Sequence, residues 1–185
     1  IYQDGPHDQT VTGWGASAKL AWDAGGVVFT SLSAYRDPAF DLATDLDGTD
    51  FFLLNAFEVE AAKQFSQEFQ LASDNDGKWR WIAGLYIFHE TGELHYAFPF
   101  PLAGTVIEFF ADQDIDSVAA FGEVTYSISD RLRLTVGARY TFDEKSYDET
   151  RIFGIAASNA LTQDWSAFTP KFLIDYDIDD SKFVY

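Results

Sequence analysis

The chain has 185 residues, with 30 Asp and Glu against 12 Lys and Arg, and its formal charge of -18 excludes nucleic acid as a partner because a phosphate backbone would be repelled. It contains no cysteine, which excludes disulfides, thiolate metal sites and cysteine nucleophiles. Hydrophobic residues at 47% and aromatic ones at 17% exclude simple acidic disorder. No apolar run reaches the roughly 20 residues of a membrane-crossing helix. The best, Tyr96 to Ile107, contains Pro99 and Pro101 and stops at Glu108. A barrel strand needs only about 9–11 residues with alternate ones apolar, and an averaging hydropathy scale reads such strands as soluble.

Trp14, Ala16, Ala18, Leu20 and Trp22 alternate with Gly15, Ser17, Lys19 and Ala21, which predicts a strand with one apolar face. Asp23-Ala24-Gly25-Gly26 turns it. A second strand runs from Val27 to about Arg36, with Val28, Thr30, Leu32 and Ala34 on one side and Val27 and Phe29 on the other. The third, Val59 to Ser73, sets Phe65, Phe69 and Leu71 against Gln64, Ser66, Glu68 and Gln70. After Asp74-Asn75-Asp76-Gly77 the fourth, Trp79 to His89, sets Trp81, Ala83, Leu85 and Ile87 against Arg80, Gly84 and Tyr86. The fifth spans Ser117 to Ile128. The sixth alternates most cleanly, Leu132, Leu134, Val136, Ala138, Tyr140 and Phe142 against Arg133, Thr135, Gly137, Arg139, Thr141 and Asp143. The seventh carries Phe168, Pro170, Phe172, Ile174 and Tyr176 on one face, Asp177 to Lys182 turn it, and Phe183-Val184-Tyr185 opens an eighth.

Connections alternate short and long, the long ones covering about 37–57, 91–116 and 144–164. That is the pattern of an outer-membrane barrel with short periplasmic turns and long outer loops. Aromatics gather at both strand ends: Trp22, Trp79, Trp81, Tyr126 and Tyr176 near short turns, and Tyr35, Phe57, Phe88, Tyr140, Phe142 and Trp165 near long loops. Two interfacial girdles fit this distribution. The expected fold is therefore all-β, an antiparallel transmembrane β-barrel, of which residues 1–185 are a slice of about seven to eight strands. The alternative is a small soluble or adhesive β-barrel binding module.

Phe65-Ser66-Gln67-Glu68-Phe69-Gln70-Leu71-Ala72-Ser73 and Trp81-Ile82-Ala83-Gly84-Leu85-Tyr86-Ile87-Phe88-His89-Glu90 resemble the barrel of TonB-dependent outer-membrane receptors, in the branch abundant in sphingomonad- and caulobacter-like bacteria. Ala120 to Tyr126 with Leu134 to Thr141, and Phe168 to Tyr185, resemble the hairpins that follow. These are strand-pattern motifs, and they specify a place in a barrel and no chemistry. The resemblance implies a barrel of roughly 22 strands in a Gram-negative outer membrane, filled by a plug domain that this stretch lacks. It further implies import of a scarce small nutrient, energised by the TonB complex acting through that plug, and contact with outer-membrane lipid.

No constellation points to catalysis or a cofactor. There is no Gly-x-Ser-x-Gly elbow and no Gly-rich phosphate loop. Asp112, Asp114, Asp116 and Glu123 have the spacing of calcium-loop ligands, but Ser117 replaces the turn glycine and the second half reads as strand. Asp175, Asp177, Asp179 and Asp180 crowd a turn, and His7, His89 and His95 are too scattered for zinc, so no metal site is expected.

Lys19, Arg80, Arg133, Arg139 and Lys171 fall on polar strand faces, where a barrel lumen lets them pair with Glu68, Glu123, Asp143 and Asp175. Leu134, Val136 and Ala138 are expected to meet lipid, so Arg at Val136 is expected to block folding while Arg at the lumen-facing Thr135 is tolerated. Ligand contact is expected in the long loops, with Tyr96, Phe98, Phe100, Phe109 and Phe110 of 91–116 as the candidates.

Overall fold

Eight antiparallel strands pair strictly in chain order in the computed structural model, which describes residues 5, 7–75, 77–179 and 182–184. They are β1 (Asp8–Asp23), β2 (Val27–Asp45), β3 (Asn55–Ser73), β4 (Trp79–Phe100), β5 (Thr105–Ser127), β6 (Leu132–Phe153), β7 (Ile155–Asp179) and β8 (Lys182–Val184). Asp76, Asp180 and Tyr185, which the sequence assigns to turns and the last strand, lie outside the described residues. Each neighbour follows through a hairpin, so every strand is antiparallel to the last and no crossover is needed.

The three expected long loops are largely strand. The β4–β5 connection is a single 3-10 turn, Pro101–Ala103, closed by Gly104, and Gly154 alone joins β6 to β7. Only 46–54 remains as an irregular outer connection. Gly48, Gly104 and Gly154 sit at positive φ of 65°, 63° and 71°, a backbone that other residues adopt at a cost. The strands reach 25 residues in β7, far beyond the about 9–11 that cross a bilayer. Apolar alternation stops where the lipid stops, whereas the hydrogen-bonded ladder continues in water.

Register fixes the two faces. Val124, Val136 and Phe172 are neighbours across β5, β6 and β7, as are Leu85, Ala120, Tyr140 and Phe168 across β4 to β7. Thr125 and Thr135 pair on the opposite side, with their hydroxyls 2.8 Å apart. The apolar side is the exposed one, with Trp22 at 64% and Phe172 at 76%, while Thr135 on the polar side is 3% exposed. A water-soluble sandwich buries its apolar face; this sheet crowds its polar face and leaves the apolar one open, as a barrel wall with lipid outside does. The lipid side ends at one row across four strands, His89, Asp116, Glu144 and Asp164.

Several expectations are corrected by this register. Phe88 and Trp165 face the polar side, opposite Ser66 and Asp143, and Phe57 lies beyond the charged row, so none belongs to a girdle. Trp14 with Tyr35 (ring centroids 5.1 Å apart) and Trp79 with Tyr126 (4.4 Å) do sit on the lipid side at its two ends. In β2 the lipid side is Phe29, Ser31, Ser33 and Tyr35, because Phe29 pairs with Trp22 and Leu71, and Val28 and Leu32 turn inward. Ser31 and Ser33 are tolerated there because Gln67 of β3 bonds both, donating its Nε2 to Ser31 Oγ at 2.9 Å and accepting from the Ser33 hydroxyl.

Lumen charges pair as expected at Lys171–Glu123 (2.7 Å). Arg133 instead takes Asp177, with both nitrogens at 2.7 and 2.9 Å, and the Arg139 guanidinium lies over the Tyr86 and Phe121 rings.

Candidate ligand-binding face

Beyond the lipid band the polar side of β3 to β6 becomes a mixed aromatic and acidic wall. Tyr96 pairs with Glu58 and Phe109, so these three share the inward side, and alternation places Phe98 and Phe100 with them. Phe98 stacks on Tyr96 at 5.9 Å and meets Phe109 edge-on at 6.1 Å. Phe110 faces the other way and stacks on His95 at 4.2 Å, while His95 Nε2 lies 3.3 Å from Glu108. Four of the five sequence candidates therefore form one inward surface, and Phe110 is on the outside. Spacing alone could not separate Phe109 from Phe110, because parity acquires meaning only once a register is known.

The Tyr96 hydroxyl donates to Glu58 Oε1 at 2.5 Å, and this bond, with burial, pushes the phenol up to about 12. It stays a donor throughout the physiological range. Glu60, two residues on, is held above the usual carboxylate range by burial and by its neighbour Glu58. Below this pair lies a recess of about 300 Å³ that the sequence did not disclose. Its floor is Ala62 and Gly92, which pair directly, and Phe40, Glu60, Leu94, Glu90, Gln113 and Tyr147 wall it. Farther across the sheet Arg151 neutralises Glu149 and holds it below its ordinary value.

The family described as TonB dependent receptor-like, beta-barrel, matches the chain over residues 1–185. The chain belongs to the TonB-dependent receptor β-barrel family. Solved structures agree in fold. The ferric yersiniabactin uptake receptor FyuA from Yersinia pestis superposes with a TM-score of 0.87 at 16% identity, over 97% of this chain and 28% of that one. The siderophore receptor PiuA from Acinetobacter baumannii gives 0.73 at 12% identity, over 97% and 32%. The ferric citrate transporter FecA gives 0.68 at 10% identity, over 96% and 27%. The chain thus spans about a third or less of the receptors it matches. None of the curated proteins matches the sequence. The TonB-dependent receptor barrels are transport receptors of Gram-negative outer membranes, and the eight strands are a slice of such a wall.

Within this receptor wall the other sequence candidates disperse. Asp112, Asp114 and Asp116 line the outward side of β5 while Glu123 faces inward, so the calcium-loop spacing does not converge. His7 meets Thr44, His89 meets Asp116 and His95 meets Glu108, three separate places. Among the described residues no three His, Asp or Glu side chains are grouped to hold a metal ion.

The remaining irregular loop, 46–54, is held by Asp47, which accepts from the Thr49 amide (2.9 Å) and hydroxyl (2.5 Å) and from the Leu53 and Leu54 amides (3.2 and 2.7 Å). The Thr49 hydroxyl bond, followed by the backbone amides, lowers Asp47 below its usual 3.8. A depressed carboxyl stabilises the fold above its unfolded value, and the effect is lost as pH falls through the folded one. Protection of the Leu53 and Leu54 amides, corrected for intrinsic exchange, is therefore expected to fall below about pH 3.8. Asp47→Ala is expected to abolish it already at neutral pH, and unchanged protection in that variant would show that the carboxylate does not hold the loop.

Proposed function

We propose that this chain is one wall of an active importer, a receptor that captures a scarce small nutrient at the cell surface and passes it inward with energy delivered by TonB through a plug domain. On this reading residues 1–185 are part of the barrel domain, its outer side meets lipid, and its bacterial branch is that of sphingomonad- and caulobacter-like organisms, the source of the strand motifs it resembles. Ferric yersiniabactin and ferric citrate uptake by its structural neighbours supports nutrient capture as the class of activity. The observation that carries the reading is the inward cluster of Tyr96, Phe98 and Phe109, held on paired strands above the lipid band where an entering ligand first meets the wall.

Replacing all three by Ala in the full-length receptor is expected to lower uptake about tenfold or more, since each stacking contact contributes about 0.5–1.5 kcal/mol. Barrel assembly, read from folded-state migration on cold gels, is expected to be unchanged. Removing TonB is expected to abolish uptake altogether. Normal transport by a correctly assembled triple variant would refute a ligand role for this face, and TonB-independent uptake would refute the energetics.

A further inference from the structure

We infer that the recess beside Ala62 and Gly92 binds the cationic end of an organic ligand, an ammonium or guanidinium group carried on an apolar or aromatic body. The inference rests on the ligand-capture reading above and adds the ligand's charge class. The recess, at about 300 Å³, is at the small end of ligand pockets and accommodates one group of a larger ligand. Its apolar walls are Phe40, Leu94 and Tyr147, and its inward charged groups are Glu60 and Glu90; Glu93 also lines it, from a position that alternation turns outward, and no Lys, Arg or His is among the lining residues.

The two carboxylates do not meet at one point. Glu60 pairs across from Leu94 and Glu90 from Gln64, four register positions apart or about 13 Å along the strands. They bracket the floor, an arrangement suited to a cation with an extended body and unsuited to a bare metal ion, which needs converging oxygens. Glu90 Oε2 accepts from Gln64 Nε2 at 2.6 Å, which leaves it further acceptor capacity. Glu60's own burial, then its hydrogen bond to Glu58 and the charge of Glu58, disfavour its ionised form, which a ligand cation would favour. Arg36 and Lys145 share the row of Glu90, each two strands away and two residues from the lining Pro38 and Tyr147 on the same inward faces, and neither lines the recess. An anionic ligand entering here would meet two carboxylates in a partly desolvated site, where like charge is most costly. The aromatic cluster of Tyr96, Phe98 and Phe109 lies toward the hairpin tip from Leu94 and offers the ligand body a stacking surface, and a cation a favourable ring face.

The test uses purified full-length receptor in detergent and two probes of equal size, 2-phenylethylammonium and 3-phenylpropionate, titrated by calorimetry or saturation-transfer NMR. The cation is expected to bind saturably and at least about tenfold more tightly than the anion. The Glu60→Gln, Glu90→Gln double variant is expected to weaken the cation about tenfold. A Cβ at Gly92 would find its nearest atoms at 4.0 Å, so Gly92→Leu fits the sheet, fills the recess and is expected to remove binding. Equal or tighter binding of the anion would overturn the assignment. So would wild-type affinity for the cation in the double glutamine variant, or in correctly folded Gly92→Leu. The Tyr96, Phe98, Phe109 uptake experiment judges the capture reading separately: normal transport there with cation binding still lost in Glu60→Gln, Glu90→Gln would remove the transport role and leave the charge preference standing.

Discussion

Val136→Arg in the full-length receptor is expected to abolish accumulation of folded barrel in the outer membrane, while Gln70→Arg is expected to assemble normally. Val136 lies within the lipid-side band, flanked by Val124 and Phe172 on the neighbouring strands. A charge there costs about 2–4 kcal/mol near the bilayer midplane, a large share of a stability that is typically about 5–15 kcal/mol. Gln70 is on the lumen side, already bonded to the Glu68 carboxylate, so a longer, charged arginine there has a carboxylate partner on its own strand. Thr135, the lumen position that alternation offers as the permissive control, is unsuitable. It does face inward, but it is 3% exposed and its hydroxyl engages Thr125. An arginine there overfills a packed site and breaks a hydrogen bond. Thr135→Arg is thus expected to fail by crowding and Val136→Arg by desolvation. Denaturant stability measured in bilayers of increasing hydrophobic thickness separates the two, because only the second defect depends on depth. Equal accumulation of Val136→Arg and Gln70→Arg would mean that the lipid face has been assigned to the wrong side.

What could be read from sequence follows where water is. Leu132 to Phe142 alternates cleanly because one side of β6 meets lipid and the other a polar lumen, so the selection of side chains differs between them. From Glu144 to Phe153 both sides are wet, alternation disappears, and the same strand reads as loop although its pairing with β7 continues to Gly154. β2 misleads for a different reason. Its lipid side carries Ser31 and Ser33, made tolerable by Gln67 from another strand, a compensation no local pattern contains. The recess has the same origin: Ala62 and Gly92 are 30 positions apart in sequence and become one floor only through the β3–β4 register. Tyr96, Phe98, Phe100 and Phe109 were legible as exposed aromatics, but which of them share a surface was not.

Gly84→Ala is expected to destabilise the barrel by about 1–3 kcal/mol, although it adds one methyl group to a strand. Gly84 pairs with Phe121 on the lumen side of β4 and β5. A Cβ at that position would come within 2.6 Å of the Phe69 carbonyl oxygen and press into the Phe121 ring. The ring lies over the space the glycine leaves, and Arg139 covers the ring in turn, so three strands depend on that vacancy. Gly92 on the same strand is the internal control, since the nearest atoms to its added Cβ stand at 4.0 Å and Gly92→Ala is expected to leave the unfolding midpoint unchanged. Trimming the ring tests which neighbour matters. Phe121→Ala in the Gly84→Ala background removes the side-chain clash but leaves the Phe69 carbonyl in place, so recovery is expected to be partial. Backbone at that distance can retreat only by lengthening the β3–β4 ladder, in which Phe69 pairs with Leu85 and Gln70 with Gly84. Full recovery of the unfolding midpoint in the double variant would show that the ring alone, and not the close approach of β3, requires glycine at this place.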